Sequence, residues 1–312
     1  MNDSIIELPN NYEHNMKLGQ LAFEEKNYQE ALNYFQEAYN LKNELLANEW
    51  LVKTAMVLNN YELAEKIATE RLTDYLAEPS KLASYIECLI ALNKFQRARL
   101  FIEVYSLGDD KLKFETLLNQ TEQQRKQFHA RSIEEVNQKL ASWYPKPHEI
   151  LQFLEQLNSL PYDSFMKQLT RMLTDKKHSL ILRNQLLNTL RLLNYSEPVE
   201  IIDYANQMRT VTPVDLEVLG RERYYLDLNE VLNRMVGEQP DVLKQLLADQ
   251  RRFFNILYPL ASEEITSLKN WLSVTLAPYN GLIRMPIDDL ADEEVPEIAL
   301  FNQILFQMGL KN

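Results

Sequence analysis

The chain offers few residues suited to covalent or acid–base chemistry, and their spacing argues against most of it. Its four histidines, His14, His129, His148 and His178, stand far apart. None has a second histidine or the lone cysteine at a metal-ligand spacing, and no HExxH run occurs. They are expected at the surface or at helix ends. Cys88 falls in mid-helix with no base or orienting residue assignable to it, so a small buried thiol is expected rather than a nucleophile. Glu24-Glu25 and Glu293-Glu294 are paired carboxylates of the kind that solvated helix faces carry. Neither GxxxxGKS/T nor GxGxxG is present, which removes the two common phosphate-cradling loops. These patterns imply no catalytic residue, no metal and no cofactor.

Three basic clusters are the remaining candidates: Lys176-Lys177-His178, Arg221–Tyr225 (RERYY) and Arg251–Phe254 (RRFF). Arginines interleaved with aromatics can contact phosphates while the rings stack on bases. The alternative puts the rings in the core and the arginines on exposed helix faces beside acids. Charge favours the second. Of the net −12, residues 1–110 contribute −8 and residues 288–312 contribute −5, leaving +1 for the middle of the chain. Nucleic-acid binding normally needs a strong positive field, so it is not expected to be the main activity.

The elements that must position any site are helical. Six glycines in 312 residues cannot supply the tight turns of a large β protein, and runs rich in Leu, Glu, Gln, Lys and Ala favour helix. A hydrophobic fraction of 46% with 25% charged residues fits a globular protein. One cysteine excludes an internal disulfide framework and fits a reducing compartment. The first nine residues lack the basic and apolar regions of a signal peptide, and no apolar run approaches a membrane span. A cytoplasmic protein is expected.

Three segments repeat. Ala31, Ala64 and Ala98 recur at intervals of 33 and 34, and Tyr28, Tyr61 and Phe95 precede them by three residues each time. Apolar stripes flank polar turns at Lys26-Asn27, Asn59-Asn60 and Asn93-Lys94, which predicts three helix pairs. The alanine near the start of each second helix lets two backbones approach, and the aromatic before it plugs the turn.

On these residues the stretch 17–43 (KLGQLAFEEKNYQEALNYFQEAYNLKN) resembles a near-consensus tetratricopeptide repeat, with Leu18, Gly19, Phe23, Tyr28, Ala31, Phe35 and Ala38 on signature positions. The next two units are degenerate: Val52 and Ile86 replace the glycine, and Ala68 stands where Phe35 stands in the first. The resemblance implies an α-solenoid over residues 1–108 whose inner face binds another protein or peptide. By that likeness Met16, Lys17 and Gln20 line the inner face, followed by Glu49, Trp50 and Lys53, then Ser84 and Glu87. Trp50 is either the anchor for a ligand or a spacer between repeats. Repeats that grip a C-terminal carboxylate carry Lys, Asn and Arg at inner positions that here hold Met16, Gln20, Trp50, Ser80 and Ser84, which argues against a co-chaperone.

Residues 109–145 read as connecting helices: a charged helix over 111–130, then one over 132–143 capped by Ser132 with Glu135 three residues on. Pro145 and Pro147 mark the expected boundary of a helical C-terminal domain, 146–312. Helices are expected over 148–160, 162–173, 179–194, 213–236, 240–258 and 262–276. Between them, β-branched runs at 199–204 and 208–212 predict a small β-hairpin, although Ile201, Ile202, Ala205 and Met208 would also share one helical face. An acidic segment at 288–297 precedes a short apolar helix, 296–308, able to dock on the protein's own core or on a second copy as a homodimer. The layout, with the run FFNILYP at 253–259, is similar to tetratricopeptide proteins of low-GC Gram-positive bacteria, a likeness that brings no activity with it. The expected function is a protein-binding adaptor or assembly protein. A peptide-sensing regulator and a nucleic-acid-associated protein are the alternatives.

Overall fold

The computed structural model describes residues 11–236, 239–279 and 296–310. Glu293-Glu294, most of the acidic segment and the first nine residues lie outside them. Among the described residues the protein is mostly α-helical, with one two-stranded antiparallel sheet. It divides into two compact units: Met1–Lys139 with Leu154–Phe165, and Leu140–Phe153 with Met166–Asn312.

The first unit begins with α1 (Tyr12–Glu24) and α2 (Tyr28–Leu41), then α3 (Leu45–Val57) and α4 (Tyr61–Glu70). A short α5 (Leu72–Ala77) intervenes before α6 (Pro79–Ala91) and α7 (Phe95–Tyr105). The pairs α1/α2, α3/α4 and α6/α7 are the three units read from the repeat. Ala31, Ala64 and Ala98 are all fully buried, as the need for close backbone approach requires. Every pair turns by the same device. Lys26, Asn59 and Asn93 take left-handed φ values of 62°, 56° and 57°. The next residue's N–H then reaches back five positions, Asn27 to the Ala22 carbonyl, Asn60 to Ala55 and Lys94 to Leu89, each at 2.8 Å. This is the Schellman closure of a helix C-terminus, which satisfies carbonyls that would otherwise be orphaned.

Of the glycines described, Gly19 is the one where an added Cβ would clash. A Cβ there would lie 2.6–2.9 Å from three ring atoms of Phe35, so α1 and α2 meet through the absence of an atom. In the later pairs the corresponding positions carry Val52 and Ile86, and both are buried.

The long α8 (Gly108–Phe128) and α9 (Ala130–Ser142) follow. Two helix starts are corrected here. The first helix begins at Gly108, three residues before the expected 111. The second helix starts at Ala130, two residues before Ser132, so Ser132 and Glu135 lie inside it and form no capping box. After a single 3-10 turn, Pro147–Glu149, come α10 (Ile150–Asn158) and α11 (Tyr162–Leu173). The chain passes between units within α9, α10 and α11. Pro145 and Pro147 therefore mark a break in helix but no edge of a unit.

The second unit continues with α12 (Leu180–Leu192), capped by Ser179, whose side chain accepts the Leu182 N–H at 3.3 Å. The hairpin follows as β1 (Val199–Ile202) and β2 (Met208–Val211), paired Val199 to Val211 and Ile202 to Met208. Asp203 settles it in favour of strand. Its buried carboxylate accepts the Gln207 N–H at 2.8 Å and Arg209 Nε at 2.7 Å across the turn.

The helix expected from Pro213 is shorter than predicted: a 3-10 turn, Pro213–Asp215, then an irregular stretch, then α13 (Arg223–Val236). The Asn188 side chain accepts the Leu219 N–H at 2.8 Å, and Glu222 accepts that of Gly220 at 2.7 Å. These side chains take backbone donors that a helix would have used. Next are α14 (Pro240–Leu257), α15 (Ala261–Glu264), α16 (Leu268–Leu276) and α17 (Pro296–Gln307). The single helix expected over 262–276 is broken at Ser267, which caps α16 and whose N–H donates to Glu297 at 2.8 Å. Trp271 centres the core, with Nε1 donating to Gln250 Oε1 at 2.9 Å and edge contacts to Phe253, Phe254 and Phe301. Leu300, Phe301 and Ile304 of α17 pack into this core, so the C-terminal helix docks on its own chain.

Candidate functional site

The repeat spacing places one face of α3 and one of α6 side by side, and the structure shows what that creates. Residues 49, 52, 53, 56 and 57 form a single helical stripe on α3. Opposite it stand Ser80, Lys81 and Ser84 at the start of α6. Between them lies a groove of about 550 Å³, with Tyr75 of α5 at its base. Val52, Met56, Val57 and Tyr75 make it apolar, while Glu49, Lys53 and Lys81 rim it with charge.

The rim is ordered by electrostatics. Lys81 Nζ pairs with Glu49 Oε1 at 3.1 Å across the groove, and also with Glu78. The Glu78 contact raises the lysine pKa, with Glu49 adding to it, so the ammonium is held charged. Lys53 has no ion-pair partner among the described residues. Its ammonium rests 4.6 Å from the Trp50 ring and 5.0 Å from that of Phe23. Such cation–π seating holds a charge in place without neutralising it.

The base of the groove is braced from behind. Asn48, fully buried, donates to the Ile67 carbonyl at 2.9 Å and to Tyr39 Oη at 3.3 Å, and accepts from Tyr75 Oη at 3.0 Å. Burial pushes the Tyr75 phenol well above its ordinary pKa, so it stays a neutral donor.

Of the eight residues expected on the binding face, Glu49, Lys53 and Ser84 line this groove. Lys17 on α1 is exposed, and Gln20 and Glu87 are half-buried; none of the three lines it. Met16 is corrected: it is 5% exposed and belongs to the core, because its position on α1 faces inward with Tyr12 and Gly19. Trp50 stacks on Phe35 at 5.2 Å and meets Phe23 edge-on at 5.3 Å, which makes it a spacer between the first two pairs that also seats Lys53. Sequence reasoning missed Val52, Met56, Val57, Tyr75 and Lys81. Val57 is 43% exposed on a helix end and could have been found by continuing the stripe from Lys53. Tyr75 lies in α5, which belongs to none of the three helix pairs, and left no such signal.

The other reactive groups are placed as follows. Cys88 is fully buried, and burial, with Glu87 and Glu65 nearby, pushes its thiol up to about 12. His178 lies in the bend between α11 and α12, buried against Tyr144 and Phe153 rather than at the surface. Burial lowers its pKa, and neither ring nitrogen has a hydrogen-bond partner. In the basic clusters Tyr225, Phe253 and Phe254 are core residues and cannot stack on bases, whereas Arg221, Arg223, Arg251 and Arg252 are exposed. Among the described residues no three His, Cys, Asp or Glu side chains are grouped to hold a metal, and no helix is long and apolar enough to cross a membrane. No family model, no curated protein and no solved structure matches this chain.

Proposed function

We propose that the protein is an adaptor or assembly factor whose first three helix pairs are tetratricopeptide-type repeats, and that it binds an extended polypeptide along the groove between α3 and α6. The observation that carries this reading is the groove itself: an open apolar trough with an exposed valine, flanked by one unpaired cation and one cross-groove ion pair. Val57 and Met56 would take an apolar side chain of the ligand. Lys53 would meet an acidic residue or a backbone carbonyl, with its charge already held by Trp50 and Phe23.

The test is affinity purification from the native host with wild type and a Lys53→Glu, Val57→Asp variant. It is followed by calorimetry with peptides tiled from whatever is recovered. Both positions are exposed, so the variant is expected to keep the wild-type circular dichroism. A peptide bound by wild type and lost by the folded variant supports the groove. A partner whose affinity is the same for both proteins rejects it.

A further inference from the structure

The two stretches rich in arginine and aromatics, 221–225 and 251–254, lie far apart in sequence, yet the second unit brings them to one cavity of about 210 Å³. Tyr225 and Phe254 form its floor, their rings 5.3 Å apart. Gly220, at φ 78°, carries the backbone along one wall. The space is smaller than the ~300–1,000 Å³ of sites for drug-sized ligands, so it suits a small molecule.

Its polar walls are unusual for a protein of net charge −12, because no acidic side chain lines them. Asn188 commits its oxygen to the Leu219 N–H at 2.8 Å, which leaves its NH₂ as the group on offer. Gln185 and Arg251 stand exposed at the mouth, and neither side chain has a partner among the described residues. The contrast with the next residue is informative. Arg252 is paired with Asp249 at 3.3 Å, so its charge is already answered. Asn255 contributes a second feature: its Oδ1 is buried without any donor in the protein. A buried acceptor left unpaired is costly, and a ligand hydroxyl donating to it would relieve that cost. Glu222, the buried carboxylate next to these residues in sequence, does not line the cavity, and one of its oxygens accepts the Gly220 N–H at 2.7 Å.

We propose that this cavity binds a small hydroxylated anion, either a hydroxy acid or a phosphate ester, with Arg251 on the anionic head, Asn188 and Gln185 donating beside it, and Asn255 on the hydroxyl. Arginine presents a planar fork matched to carboxylate and phosphate oxygens alike, so the head group is left to experiment.

Calorimetry on the full chain with malate, glycerol 3-phosphate and glycerol tests it. Saturable one-to-one binding of malate or of glycerol 3-phosphate, and none of glycerol, is expected; whichever anion binds names the head group. Arg251→Gln should weaken that binding roughly ten- to a hundredfold, the range for losing charge-assisted hydrogen bonds. Arg252→Gln should leave it within about twofold, since losing a surface pair changes little locally. Both arginines are exposed, so neither variant threatens the fold. Failure of both anions to bind at millimolar concentration, binding of glycerol as tight as that of the anions, or equal weakening by the two arginine variants would each overturn the proposal.

Discussion

Replacing Gly19 with alanine should destabilise the first unit, against the ordinary preference of helices for alanine. In a helix interior alanine gains about 0.5–1 kcal/mol over glycine. Here the added Cβ would sit 2.6 Å from Phe35 Cε1 and 2.7 Å from Cδ1, roughly an ångström inside ordinary contact. The ring cannot swing away, because Phe35 is fully buried and stacked on Trp50. Overpacking of this kind costs about 1–3 kcal/mol. Taking mid-range values for both leaves a net loss of about 1 kcal/mol. Urea unfolding followed by circular dichroism and tryptophan fluorescence would measure it, with hydrogen exchange in α1 and α2 locating it. Phe35→Leu in the Gly19→Ala background should recover part of the loss, since it removes the ring atoms that clash. If Gly19→Ala proves as stable as wild type or more so, the close approach of α1 and α2 is not tight, and the packing argument fails.

Three further outcomes are expected. Asn48→Ala should cost about 2–4 kcal/mol in urea unfolding, because it strands the Ile67 carbonyl and the Tyr75 hydroxyl in the core; a loss under half a kcal/mol would show that the network is dispensable. His178 is buried beside Asp175, Arg171 and Arg183, with burial lowering its pKa below the unfolded value of about 6.5. The unfolded chain then binds the proton more readily, so stability present above pH 6.5 is lost as pH falls through the folded pKa. Melting temperatures of wild type and His178→Phe should diverge below that pH, and parallel curves would refute the assignment. Cys88, its thiol pushed up to about 12, should ignore a thiol-specific chromogenic reagent at pH 8 in the folded protein and react once urea unfolds it; rapid reaction in the native state would contradict its burial.

The helix pairs were legible because their markers are steric. An alanine that must be small and an aromatic that must fill a turn leave a period in the sequence, and all three alanines are buried where the period puts them. The hairpin was legible through β-branched runs, even though its deciding feature, the carboxylate of Asp203, is a tertiary contact. What escaped notice depends on hydrogen bonds that no local pattern encodes. The stretch before α13 is unwound by Asn188 and Glu222, and the break before α16 is held by Glu297, thirty residues away. Within the site, position in the repeat puts Met16 and Trp50 on the inner face, but position does not say which way a side chain faces once a neighbouring pair covers it. Tyr75 belongs to α5, which lies outside the paired helices, and only the fold brings it under the groove.

The left-handed residue that closes each pair, Lys26, Asn59 and Asn93, also sets which changes of length the chain can accept. One residue inserted within a helix rotates everything after it by roughly 100° and turns the apolar stripe away from its partner. Thirty-three or thirty-four residues inserted at a turn bring the following helix back in phase, with a fresh closure to start from. Copying or dropping a whole pair therefore keeps the packing of its neighbours in register, while a single residue inserted inside a helix does not.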